Sequence, residues 1–419
     1  MKILSTGTLS FQLLYPFIVP IGTLIRAIAF TIDGEVYDKF LFISLFIFIA
    51  DTIGGVFYLC IHVSQNEDQK LGEESTLEQI VVNLSEDNTS PERTQSSGSQ
   101  SGLHKDNIVV QKDYKTLKIF LLFSIPALFH FLSFNILSLV CASQGQYLNG
   151  LQAELKNGRI IFTSLICLVA FRFQYYKHHI IAIVLIIIGL IVNIVALSYY
   201  NKDVRDNFAV KHFLLFFLTY LLDGGKVVIE KKLLDKFKLI PLQAIFIEGI
   251  CGIVINVVFA LFAMIIPCNE SLGVCTGNSL FDFNALGTAL TETKFYLFLL
   301  LILISSIIDD VFSMLTVYYF LPTHQNVADA ISSCLLWITI NLFYPANLQQ
   351  NLPFLNSFFP FPGYVVSILG SLMYNEIIVF YFCGLAENTK KEIIDRAEFE
   401  SKEIKQENLL IRKNKYNKV

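Results

Sequence analysis

Ionisable side chains stand inside long apolar runs of this sequence, and chemistry would reside there. Lys156 and Arg159 are three residues apart, so on a helix they share a face, with Glu154 just before them. Two cations on one buried face require anionic company. Glu154 and acids of other helices could supply it, as could an anionic ligand such as the phosphates of a nucleotide. Asp329 is the candidate partner from the second half, with Trp337 two turns further along, placed to stack on a base or sugar or to fill a core. Asp223, Lys226 and Glu230 follow one another at i, i+3 and i+7, the spacing of a helix-face ion-pair stripe, and suit a gate or a structural brace. Glu248 opens the next apolar run, where it would pair with Lys231 or Lys232 or orient a gate. Asp309 and Asp310 are neighbours, so their side chains point about 100° apart on a helix. One of them then faces inward and could exchange protons. Asn135 is a further polar candidate for binding a solute. His130 and Glu376 suit structural roles.

The elements that position these residues follow from composition. The chain has 419 residues, of which 54% are hydrophobic and only 16% charged, against about 25% charged in an ordinary soluble domain. So much apolar surface excludes a water-soluble enzyme, a disordered chain and a secreted disulfide scaffold. A net charge of −4 gives no footprint for nucleic acid. A membrane helix needs about 20 apolar residues. Charges and prolines delimit ten such spans, at 7–30, 40–63, 118–142, 148–171, 178–200, 208–229, 241–267, 294–320, 324–344 and 361–384. The expected fold is therefore an all-α integral membrane protein of about ten transmembrane helices. Span 7–30 is read as a retained helix rather than a signal peptide, because it is too long, contains Pro16, Pro20 and Arg26, and lacks a clear cleavage site.

Most of the 31 Lys and Arg residues fall on the side that carries both termini, which predicts cytoplasmic termini by the positive-inside rule. Residues 64–117 are rich in Glu, Ser, Gln and Thr and read as a disordered cytoplasmic loop. Residues 386–419 form a charged cytoplasmic tail. Six of eight cysteines lie in apolar spans, where they act as small hydrophobes. Cys268 and Cys275 share the opposite, lumenal loop 268–293, where a disulfide is permitted. The same loop carries the sequon Asn269-Glu270-Ser271.

Short patterns recur at nearly constant offset. Phe134-Asn135-Ile136-Leu137-Ser138 matches Phe312-Ser313-Met314-Leu315-Thr316. Glu154 corresponds to Asp329, and Ile188-Gly189 to Leu369-Gly370. Two five-helix halves, 1–200 and 201–385, follow from this. An odd number of spans inverts the second half against the first, the architecture of secondary transporters.

Longer motifs carry a resemblance. Glu230-Lys231, Pro241-Leu242-Gln243-Ala244 and Glu248-Gly249 resemble a signature of the nucleotide-sugar-transporter-like proteins of solute carrier family 35, subfamily F, within the drug/metabolite transporter superfamily. Leu155-Lys156 with Ile160-Ile161-Phe162-Thr163, and the Asp329/Trp337 pair, are similar to further patterns of that group. The chloroquine-resistance transporter is a more distant likeness. Ser332 stands where the group carries a basic residue, and Arg159 where it tends to carry none.

The resemblance implies a secondary-active transporter working by alternating access on a small polar metabolite, nucleotide-sugar-like or another organic anion. The alternatives are an amino acid, peptide or drug-like cation as cargo, and, from other classes, a membrane-embedded enzyme or a non-transporting scaffold. No phosphate-binding loop of the G-x-x-x-x-G-K-[ST] type occurs, so ATP is not expected to drive it directly. Neither catalysis nor a cofactor or metal is expected. The expected surroundings are the lipid bilayer of an endomembrane (Golgi, endoplasmic reticulum, lysosome or vacuole). A homodimer would form through the fifth and tenth spans, which carry few polar side chains.

Overall fold

The computed structural model describes residues 41–56, 103–144, 158–172, 175–200, 210–266, 291–343 and 360–381, with a few single positions before, between and after them. Among these residues the structure is all-helical, with no strand. The helices are α1 Leu41–Val56, α2 Leu103–Gln144, α3 Arg159–Phe171, α4 Lys177–Tyr200, α5 Val210–Phe237, α6 Pro241–Ala263, α7 Thr293–Tyr319, α8 Gln325–Phe343 and α9 Pro360–Tyr374. Glu154, Lys156, Cys268, Asn269, Cys275 and most of span 7–30 lie outside the described residues.

Among the described residues, four helical stretches are long and apolar enough to cross a membrane: Leu117–Val140, Lys177–Ala196, Pro241–Ala263 and Thr293–Tyr319. Their outward side chains are apolar as well. Leu121 is 63% exposed, Val195 61% and Phe262 63%, an arrangement suited to hydrocarbon rather than water.

Several helix ends differ from the sequence expectation. α2 begins at Leu103 rather than 118, so residues 103–117, expected in the disordered loop, are helical. The Ser/Gly-rich stretch ends at Gly102, and nothing from 103 to 117 is Gly or Pro; the helix therefore continues past its apolar part. α3 begins at Arg159, with Gly158 before it; the expected start of this span, 148–157, lies outside the described residues. α5 continues to Phe237 instead of stopping at 229, because Glu230, Lys231 and Lys232 are good helix formers. Lys238, in the left-handed region at φ 52, then ends it.

α9 stops at Tyr374 rather than 384. Its end is a Schellman motif. The Ile377 N–H donates to Leu372 O at 2.9 Å and the Glu376 N–H to Met373 O at 3.1 Å. Glu376 occupies the left-handed position, φ 57, usually held by Gly. Asn375 Nδ2 fixes the turn by donating to Ser371 O at 2.9 Å and Thr323 O at 3.3 Å.

The chain divides into two compact units. One comprises Met1–Pro20, Gln144–Gly224 and Leu321–Val419, the other Ile21–Ser143 and Gly225–Phe320. Each draws helices from both sequence halves. In the first, α4 and α9 run antiparallel. A Cβ on Gly189 would lie 2.7 Å from the Gly363 carbonyl oxygen, and one on Gly370 2.9 Å from that of Ala182. Backbones this close exclude larger side chains. In the second unit α1 and α6 cross antiparallel in the same way, with Gly249 against Thr52 and Gly252 against Phe48. Phe123, Val227, Leu234, Ile245, Met314 and Val317 form the buried core beside the charged residues described next.

Candidate functional site

The second unit gathers its ionisable residues into one place. α5 supplies Lys226 and Glu230 one turn apart, α6 supplies Glu248, α2 His130, α1 Asp51 and α7 Asp310. Lys226 Nζ lies 3.1 Å from Glu248 Oε1 and 3.6 Å from Glu230 Oε1. It also lies 2.9 Å from His130 Nδ1. An ammonium only donates, so His130 Nδ1 accepts and the neutral ring carries its proton on Nε2. His130 Nδ1 also lies 3.6 Å from Glu248 Oε1. The His130 ring meets the Phe48 ring edge-on, with centroids 5.2 Å apart.

A small cavity, with room for about one water molecule, is lined by Asp51, Lys226, Glu230, Glu248, Asp310 and Ser313, with Ile245 and Met314. Asp51, Glu230 and Glu248 are all at least 97% buried. Four carboxyl groups face a single ammonium there. Asp51 and Asp310 stand carboxyl against carboxyl in this lining. Buried carboxylates without compensation are costly, so this lining requires protons or a bound cation to balance it.

The first unit holds a different arrangement. Arg159, at the start of α3, pairs through Nη2 with Asp329 Oδ2 of α8 and donates from Nε to Asn326 Oδ1 at 3.1 Å. All three residues are buried. The guanidinium is therefore matched by a carboxylate. Ser332 donates to Ala328 O of its own helix and adds nothing to the pair.

Other sequence candidates fall elsewhere. Trp337 is buried against the aromatic rings of Phe361 and Tyr364, with centroids 5.6 and 6.2 Å away. Asn135 Nδ2 donates to Phe131 O of its own helix at 2.7 Å. Of the adjacent aspartates, Asp310 reaches the cavity and Asp309 lies against Gly22. Asp223 falls in the other compact unit, and Lys226 and Glu230 are the members of the α5 stripe that line the cavity. Glu248 pairs with Lys226 and not with Lys231 or Lys232. Lys231 is one residue past Glu230, about 100° round the helix, and it bonds instead to Asp235 at 3.3 Å and to Tyr318 O at 3.0 Å.

Asp51 was missed in the sequence, although a lone acid inside an apolar run is by default a functional candidate. The grouping of His130 with Lys226 left no local signal. No family model matches the chain, and no curated protein matches it.

Proposed function

We propose that the protein is a secondary-active membrane transporter of a small polar solute, and that the acid-lined cavity of the second unit is its proton or cation site. The observation that carries this reading is the set of four carboxyl groups against one ammonium around that cavity. Glu248 and Asp310 lie inside two of the helices long enough to span a membrane, where ionisable groups mark solute and proton pathways. Such a lining favours a cationic solute, or protons driving another one. The organic-anion reading keeps Lys156 and Arg159 as its carriers. It is weakened by the Asp329 carboxylate that already matches Arg159.

Alternating access between two inverted five-helix repeats is part of the proposal. Antiparallel contact of α1 with α6 and of α4 with α9 supports it, since these pair the second span with the seventh and the fifth with the tenth. Gly189 and Gly370, equivalent in the sequence repeat, both lie at the α4–α9 contact. The reading includes an endomembrane location with cytoplasmic termini and a homodimer through the fifth and tenth spans.

The test is uptake into proteoliposomes with and without an imposed proton gradient. Pooled amino acids, short cationic peptides and nucleotide sugars would be offered to wild type, Asp310→Asn and Arg159→Lys. Gradient-dependent uptake lost in Asp310→Asn supports the proposal. Nucleotide-sugar exchange that tolerates Asp310→Asn and is lost in Arg159→Lys overturns the cavity assignment. Bond cleavage dependent on Asp51 and Asp310, without uptake, overturns transport altogether.

A further inference from the structure

In the first unit, where Ile160 of α3 packs against Ala182 of α4 and Tyr374 of α9, two imidazoles and a carboxylate converge. His178 and His179 open α4, and Glu376 follows α9. One ligand atom from each lies within 4.8 Å of the other two. The geometry points to a binding site for a divalent transition-metal ion of the zinc class, held by His178, His179 and Glu376.

Three observations carry it. The first is the state of His178. It is 3% exposed, and its Nδ1 has no hydrogen-bond partner among the described residues. A buried polar group in that condition is costly. Its Nε2 stands 3.2 Å from Glu376 Oε1. Two atoms bound to one tetrahedral ion at about 2.0–2.1 Å each are roughly 3.3 Å apart, so the gap suits two ligands of a shared ion.

The second is the donor set. Two imidazoles and one carboxylate, neutral, neutral and singly negative, are suited to zinc and its neighbours and poorly suited to magnesium or calcium, which take oxygen ligands. The His178 and His179 ring centroids are 4.0 Å apart, so both rings turn to the same side. His179 Nδ1 accepts from the Tyr176 N–H at 3.3 Å, which leaves Nε2 for the proton in the neutral ring. Coordination through Nδ1 displaces that long contact; coordination through Nε2 requires the proton to move to Nδ1.

The third is the placement of Glu376. A non-glycine residue in the left-handed region is strained, and this one occupies the position at a helix end where Gly is ordinarily found. The carboxylate remains 22% exposed, so a fourth ligand position can be reached by water. An ion there would tie the start of α4 to the end of α9, at the end of the antiparallel contact between the two helices.

The experiment uses the full-length protein without a histidine tag, in lipid nanodiscs, with Co²⁺ as a visible probe of tetrahedral coordination and Zn²⁺ in a thermal-shift assay. Wild type is expected to bind one Co²⁺ per chain with ligand-field absorption, to release it to Zn²⁺ but not to Mg²⁺, and to gain thermal stability from Zn²⁺. His178→Ala is expected to weaken binding at least about 10-fold. Because that variant empties a buried position, Glu376→Gly is the second arm. Glycine relieves the left-handed backbone, so this variant folds as well as wild type without metal, yet it loses the Zn²⁺-induced shift. No saturable Co²⁺ absorption in wild type, or equal absorption in wild type and Glu376→Gly, overturns the proposal.

Discussion

Lys226 and Glu248 come from consecutive helices, α5 and α6, yet their charged atoms meet at 3.1 Å in the interior of the second unit. The pair fixes the one ammonium that lines the cavity among the described residues, beside the carboxyl groups of Asp51, Glu230 and Asp310. Its position explains why the neighbouring Lys231, on another face of α5, takes no part.

Removing one member of this pair leaves an uncompensated buried charge. Lys226→Met is expected to destabilise the protein by about 3–5 kcal/mol. The double variant Lys226→Met, Glu248→Gln should recover a substantial part of that loss. Thermal unfolding in detergent or nanodiscs measures both, and strictly additive losses would show that the two side chains do not interact.

Arg159 and Asp329 should behave in the same way in the first unit. Asp329→Asn is expected to cost about 3–5 kcal/mol by leaving the guanidinium buried without its carboxylate. If Arg159 instead serves an anionic solute, that variant would change substrate affinity more than it changes the unfolding temperature.

Asp51→Asn and Asp310→Asn retain size and polarity but cannot ionise. Each is expected to fold and to reduce gradient-driven uptake to the level seen without a gradient. Uptake that keeps its full response to an imposed proton gradient in both variants would remove these two acids from the coupling step.

Gly249 faces the α1 backbone, where a Cβ would lie 2.7 Å from Thr52 N. Gly249→Val is expected to force α1 and α6 apart and to destabilise by about 1–3 kcal/mol, or more if the backbone cannot shift. Unchanged unfolding of that variant would contradict the close crossing.

Deletion of 64–102 spares the whole of α2, which begins at Leu103, and transport is expected to survive it. Deletion of 64–117 removes the first part of that helix and is expected to lower stability. Equal unfolding temperatures for the two deletions would show that 103–117 contributes nothing to the fold.

Much of the architecture was legible in the sequence because apolarity and chain length act locally. An uncharged run such as 178–201 must be a buried or membrane helix wherever its neighbours lie, and Pro241 marks the start of α6 for a reason internal to its own ring. The intramembrane charges were legible for the same reason. Helix ends such as the one set by the left-handed Glu376 were harder, since that signal concerns backbone conformation rather than charge.

The sequence by itself determined a helical membrane protein carrying Lys226, Glu230, Glu248 and Asp310 inside its apolar runs. Only the tertiary structure decided that these four meet Asp51 around one cavity, with His130 against Lys226, that Arg159 finds Asp329, and that His178 and His179 stand beside Glu376. The physical reason is range. Helix formation is governed by residues within a turn or two, whereas these side chains are brought together by contacts between helices far apart in the chain, and no local spacing records which helices will touch.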